Sequence, residues 1–275
     1  MSEQDVHFNT PYSDVVKLYC INVGFNGENM MVRQQEITKR FIEFLETKKI
    51  DYKYTDNTIL VKSDVTIETK DNIICLPDNL VIDGDLNASC TGINNLPKNM
   101  NIKGSINLSG TNIEFLPDDL SVGESIYLRF TKIKSLPDNF KVNGDLDLRQ
   151  TNIEFLPKNM NVTGSLSVFG TKITQLPQDM TVGKDLNISC TELTSLPDNF
   201  RINKNLFLCG VQKLKQFDNL YVGNDLYLAF SKITNLPENL SIGGNLYLNN
   251  TEITDLPSDL KIGGKIIMPN QTKTE

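Results

Sequence analysis

Asp145, Asp147 and Asp185 are the side chains whose type and spacing come nearest to a reactive set. Paired carboxylates can trade a proton as general acid and base, or hold a divalent cation. Each of them falls in a short phrase that recurs along the chain, "NGDLDL" and "GKDLNI", which points to solvated repeat positions rather than to an enzyme's site. His7 is the one histidine, so no Ser/His/Asp or Cys/His set can assemble and no histidine-based zinc site is available. Five cysteines, Cys20, Cys75, Cys90, Cys190 and Cys209, are an odd number without a CxxC pair; they read as reduced thiols, not as a disulfide framework. "INVGFNGENMM" places Gly24 and Gly27 between a strand-like run and a helix-like one, the layout of a phosphate-cradling turn. It lacks the glycine spacing of nucleotide loops, and Glu28 would repel an anion there. A plain turn with Asn29 capping the helix is the simpler reading. The expectation is a protein without catalytic residues, metal or cofactor.

Composition narrows the partners. The chain of 275 residues is 39% hydrophobic and 22% charged, with a net charge of −7. An acidic balance argues against sequence-independent nucleic-acid binding, which needs a dense basic footprint. No apolar run approaches a membrane span, and the polar opening "MSEQDVHFNTPY" has no signal-peptide core. A cytoplasmic protein is expected.

The elements that would position any site come from a repeat. Ten units of 20 residues start at residue 71 and end at residue 270, each reading T-x-I-x-x-L-P-x-x-L-x-V-x-G-x-L-x-L-x-x. A unit of this length cannot bury its own apolar side chains, but stacked copies share a continuous core. Columns 16 and 18, such as Leu146 and Leu148, alternate with polar residues, the period of a short strand with one buried face. Columns 3, 6, 10 and 12 supply the rest of the core. Columns 13 and 14 hold dipeptides such as Asp83-Gly84, Asn143-Gly144 and Gly243-Gly244, where glycine is expected to turn a corner with positive φ. Column 7 is proline in nine of the ten units, which places it in an irregular arm outside any ladder.

The string L-x-L-x-x-T-x-I-x-x-L-P over residues 71–270 resembles the leucine-rich repeat of the short bacterial type, and repeat proteins of bacteriophages and enteric bacteria. The resemblance implies a mainly β solenoid of parallel-sheet coils. Threonine replaces the family's asparagine, so any side-chain ladder there would be made of hydroxyls. The added V-x-G suggests a second extended segment per coil. A straighter parallel β-helix is the alternative, and a meander of hairpins at Asn143-Gly144 and its equivalents a third option.

Residues 1–70 are off the repeat and read as a small α/β cap or accessory domain; residues 271–275 are a polar tail. Val15–Phe25 reads as a strand. Met31–Lys49 reads as a helix with Ile37, Phe41, Phe44 and Leu45 on one stripe. Ile50–Ile67 reads as a hairpin around Asp56-Asn57 followed by a degenerate half-coil. At the far end, Lys261, Lys265 and Pro269 discourage further strand pairing, while Ile267 and Met268 would allow a homodimer through the solenoid end.

Function then falls to the outward columns, where packing demands nothing. Column 17 carries Phe207, Tyr227 and Tyr247 on three consecutive units, which should form a stacked aromatic ridge. Tyr127, Arg129, Arg149 and Phe169 would form a second patch, with Asp147 beside Arg149. Aromatic and arginine side chains dominate interface energies, although an aromatic ladder can also do no more than stabilise a sheet. Unit eight, "CGVQKLKQFDNL", shifts Leu214 and Phe217 by one place and loses its proline, a bulge beside the ridge. The expected function is a non-enzymatic repeat scaffold that binds a protein partner on its sheet face, with host interaction implied by the bacteriophage resemblance. The alternative is a small-ligand or nucleotide-binding protein using the N-terminal segment or the Arg129/Arg149 patch.

Overall fold

Each 20-residue unit completes one coil, and the coils stack as a mainly β solenoid. The structure, a computed structural model, describes residues 27–268 with the exception of Gln216; His7, Cys20, Gly24, Val15–Phe25, Pro269 and the 271–275 tail lie outside the described residues. Every coil contributes two short strands, at columns 11–12 and 16–17. The column 16–17 strands form one continuous parallel sheet of 11 strands from Val65–Thr66 to Ile266–Ile267. Its register steps by one unit, Leu146 facing Ile126 and Leu166. The column 11–12 strands form the second sheet, which is divided into stretches of five, three and four strands. All coil-to-coil pairing is parallel, so the hairpin meander is excluded. At the usual strand spacing ten coils extend on the order of 50 Å.

The alternation that marks the strands also builds the core. Ile106, Leu108, Leu146, Leu148, Leu226 and Leu228 are buried, as are Ile113 and Ile153 of column 3 and Ile102 and Val142 of column 12. Each such side chain stabilises the stack by roughly 1.5–3 kcal/mol on burial. In unit eight the shifted Leu214 and Phe217 are both buried with Val211 and Leu220. The local bulge therefore restores the core.

Corner glycines work differently from the expectation. Positive φ among the glycines falls at Gly110, Gly170 and Gly210, in column 20, and not in columns 13 and 14. Glycine is needed at the latter because the coils approach closely: a Cβ on Gly123 would overlap the Lys103 carbonyl, and one on Gly183 the Thr163 carbonyl. The column 1 threonines form no ladder of hydroxyls. Each closes its own turn, as Thr111 Oγ1 donates to the Leu108 carbonyl at 2.7 Å and Thr151 Oγ1 to that of Leu148 at 2.8 Å. These hydroxyls are buried, so the bond satisfies a group that would otherwise be stranded.

Helix α1 (Gly27–Lys48) starts earlier than the apolar stripe suggests, which puts Asn29 inside its first turn and not at a cap. It ends in a left-handed Lys49, φ 57°, with the Ile50 N–H reaching the Leu45 carbonyl at 2.9 Å, the bond of a Schellman stop. Phe41, Phe44 and Leu45 enter the same core as the coils, and Lys48 pairs with Glu68 and Asp71 at 3.0 Å each. Strands β1 (Tyr52–Thr55) and β2 (Thr58–Val61) form the hairpin at Asp56-Asn57, both left-handed, and β2 pairs in parallel with Leu80–Ile82. Val65–Thr66 is the half-coil, joined to Leu86–Asn87 with one extra residue in its offset.

Candidate functional site

The ridge starts from strand alternation. Columns 16 and 18 turn inward, so column 17 must turn outward, and parallel register brings Phe207 beside Tyr227 and Tyr227 beside Tyr247. The Phe207 and Tyr227 ring centroids are 4.6 Å apart at 11°, and those of Tyr227 and Tyr247 4.4 Å at 5°. All three side chains are half-buried. Burial between its neighbours and the Asp225 carboxylate, which accepts from its hydroxyl at 3.2 Å, push the Tyr227 phenol up to about 12.

On four of the other coils column 17 has a turn-making task. Asn87, Asn107, Asp147 and Asn187 each accept, through Oδ1, the backbone N–H two residues on, at 3.0–3.1 Å. This Asx bond holds the chain as it leaves the strand. A phenyl or phenol ring offers no such acceptor. In coils seven to nine the aromatic ridge therefore replaces a local hydrogen bond worth about 1 kcal/mol with stacking worth about 0.5–1.5 kcal/mol per pair.

The second patch divides into separate contacts. Arg149 grips Asp147 with Nε at 2.8 Å and 3.0 Å from the two carboxylate oxygens and Nη2 on Oδ2, which raises the guanidinium pKa further and ties up the charge. Arg129 lies over the Phe130 ring, 4.6 Å from its centroid. Tyr127 is half-buried between Asn107 and Asp147, four coils from the ridge, and Phe169 is half-buried alone among the aromatic residues of its column. The structure thus stacks the rings of Phe207, Tyr227 and Tyr247 and places Tyr127, Arg129, Arg149 and Phe169 on three consecutive coils, with the Arg149 charge held by Asp147.

The repeated aspartates are ladder residues. Column 15 side chains accept the backbone N–H of the next coil: Asp145 from Ser165 at 2.8 Å, Asp185 from Asn205 at 2.9 Å and Asp225 from Asn245 at 2.6 Å. Asp147 is held by Arg149. Among the described residues no group of three His, Cys, Asp or Glu side chains is arranged for a metal. A groove of about 750 Å³ between α1 and the hairpin is lined by Met31, Thr38, Lys39, Ile42, Glu43 and Tyr54. Its walls mix apolar groups with two carboxylates, Glu43 and Asp78, and one lysine, which is not a cradle for phosphate. Among the described residues no helix is long and apolar enough to cross a membrane.

Two features escape the sequence pattern. Column 20 is left-handed in every coil from the first to the ninth, and it holds Phe130 and Phe230, both at φ 60° and largely exposed. Column 9 carries asparagines in the left-handed region whose amides chain coil to coil, as Asn99 Nδ2 donates to Asn79 Oδ1 at 2.9 Å and Asn239 Nδ2 to Asn219 Oδ1 at 3.1 Å. The glycines at Gly110, Gly170 and Gly210 and the run of asparagines at column 9 were the available signals. No family model matches the chain, and no curated protein matches it in sequence.

Proposed function

We propose that the protein is a non-catalytic binding scaffold that captures a protein partner on its continuous parallel sheet, with Phe207, Tyr227 and Tyr247 as the energetic centre. One observation carries this reading: column 17 abandons its turn-capping acceptor on three consecutive coils for a half-exposed aromatic stack. Stacking and capping are of similar size, so the fold gains little by the exchange, whereas a contact surface gains a rigid apolar strip. The half-exposed rings, with the Tyr227 and Tyr247 hydroxyls, mix apolar area and hydrogen-bonding tips in a way suited to a protein surface. The resemblance to short leucine-rich repeats of bacteria and bacteriophages extends the reading to an adaptor or inhibitor acting on a bacterial host system.

The test is capture from a bacterial lysate by the wild type beside the triple variant Phe207→Ala, Tyr227→Ala, Tyr247→Ala, with thermal unfolding of both recorded. The expected result is loss of the captured partner by a variant that still unfolds cooperatively. A soluble triple variant that retains the partner overturns the proposal.

A further inference from the structure

Between the sixth and seventh coils the second sheet is interrupted, although the Thr194 N–H still reaches the Thr174 carbonyl at 3.0 Å. The second sheet stops at Thr181–Val182 and resumes at Arg201–Ile202, while Leu186 and Leu206 stay paired in the first. Cys190 and Cys209 sit across this seam. The Cys190 N–H donates to the Cys209 carbonyl at 2.8 Å. One strand spacing and one Cα step separate the residues, so their Cα atoms lie about 6 Å apart, within the span that a disulfide bridges. A Cβ on Gly210 would stand 3.0 Å from Cys190 Sγ. The Cys190 sulfur therefore leans over the seventh coil, and glycine leaves it room. Cys190 is exposed and Cys209 half-buried. In the turn that follows, Val211 replaces the threonine clamp, and its N–H reaches the Leu208 carbonyl at 3.5 Å, against 3.2 Å for Thr111 and Thr131.

We propose that Cys190 and Cys209 form a thiol pair that low-molecular-weight disulfides convert into a reversible staple across this seam. The Cys190 thiolate attacks oxidised glutathione; the glutathione S–S bond breaks, one glutathione leaves with the electron pair and takes up a proton, and Cys190 keeps the other half. The Cys209 thiolate then attacks Cys190 Sγ and expels the second glutathione, which is protonated in turn. Two protein thiols become one disulfide, and one oxidised glutathione becomes two reduced ones. Burial, reinforced by a charge on Cys190, holds the Cys209 thiol above its usual range. The second step therefore quickens as pH rises.

The chain contains its own control. Cys90 occupies the same column, its Sγ 3.1 Å from the place of a Cβ on Gly110, but the position equivalent to Cys209 is Ser109. Cys90 should stop at the mixed disulfide.

The experiment treats the full chain with oxidised glutathione at pH 8, blocks the remaining thiols with N-ethylmaleimide and maps the peptides by mass. The expected product links the Cys190 and Cys209 peptides, is reversed by dithiothreitol and is absent from Cys190→Ser, while Cys90 carries glutathione. Recovery of Cys190 as a glutathione adduct with Cys209 alkylated, at every glutathione ratio, overturns the proposal. So does alkylation of both residues. The result is independent of whether the aromatic ridge captures a partner, because neither thiol belongs to the ridge.

Discussion

Phe230 has φ 60° with 64% of its surface exposed, and Phe130 has φ 60° with 54% exposed. A left-handed backbone costs a residue with a Cβ roughly 1–2 kcal/mol, and glycine, which fills the same column at Gly110, Gly170 and Gly210, avoids that cost. Burial does not compensate either phenylalanine, so both sit against local backbone preference. Phe230→Gly should leave the urea midpoint unchanged or raise stability by up to about 1 kcal/mol, since relief of strain is partly offset by the entropy of an unfolded glycine. A loss above about 1 kcal/mol would show that the ring supports the fold. Tyr227 offers a titration at the same scale. Its pKa is raised from 10.0 to about 12 in the folded protein, so the protonated form is favoured by folding. The associated stability is complete below the unfolded value of 10.0 and disappears as pH rises through the folded value. Ultraviolet absorbance of the phenolate should show a phenol ionising late in the alkaline limb, and Tyr227→Phe should remove that component; a late component surviving the substitution would assign it elsewhere. The outward column of aromatics was legible because strand alternation alone sets its direction. Phe130 and Phe230 were not, because a left-handed column is visible only when its glycines are compared across many coils.

Aspartate at column 9 explains why the second sheet is divided. In most coils this residue is a left-handed asparagine, and in three of them its amide donates to the asparagine before it, as Asn159 Nδ2 does to Asn139 Oδ1 at 3.1 Å. Asp119 and Asp179 have no amide to donate, and the turn around them closes instead through Leu120 N–H to Pro117 and Met180 N–H to Pro177, at 3.2 Å and 3.4 Å. After each, the ladder bond that joins Tyr221 N–H to the Phe200 carbonyl at 3.0 Å has no counterpart at Lys141 or Arg201. Both divisions of the sheet follow these two aspartates. Asp179→Asn should therefore extend the amide chain, pair Arg201 with Met180, slow exchange of the Arg201 amide at least about 10-fold and add about 0.5–1 kcal/mol, one hydrogen bond's worth. Unchanged exchange at Arg201 would separate the aspartate from the interruption. The coil itself was legible in the sequence, because leucine and isoleucine columns dictate a shared core wherever they are packed. The divided sheet was not, because Asn and Asp look alike in a consensus and differ only in one donor.

At the scale of the molecule, a solenoid's stability is nearly a sum of coil and interface terms, so weak interfaces divide it into units that open separately. The interruptions mark three such units: the hairpin with coils one to three, coils four to six, and coils seven to ten. The first end is covered by Phe41, Phe44 and Leu45 of α1. Among the described residues the last coil is the less covered end, with Leu256 at 40% and Met268 at 38% exposed and Ile262 and Ile266 only half-buried. Coils seven to ten thus combine an interrupted second sheet at one side with partly exposed apolar side chains at the other, and they should be the first unit to open. Native-state hydrogen exchange in rising urea should show amides of coils seven to ten, such as Leu226 and Leu228, merging into one opening. Its free energy should be lower than that of the Ile106 and Leu108 amides, at the matching positions of the second coil. A single opening free energy shared by all coils would mean that the interruptions are energetically silent. The ridge of Phe207, Tyr227 and Tyr247 lies wholly within this least stable unit. A partner that binds there stabilises the unit by mass action, so its exchange should slow selectively on capture while coils one to three are unaffected, and oxidation of the Cys190–Cys209 pair should slow the same opening by tethering coil seven to coil six beside the first sheet.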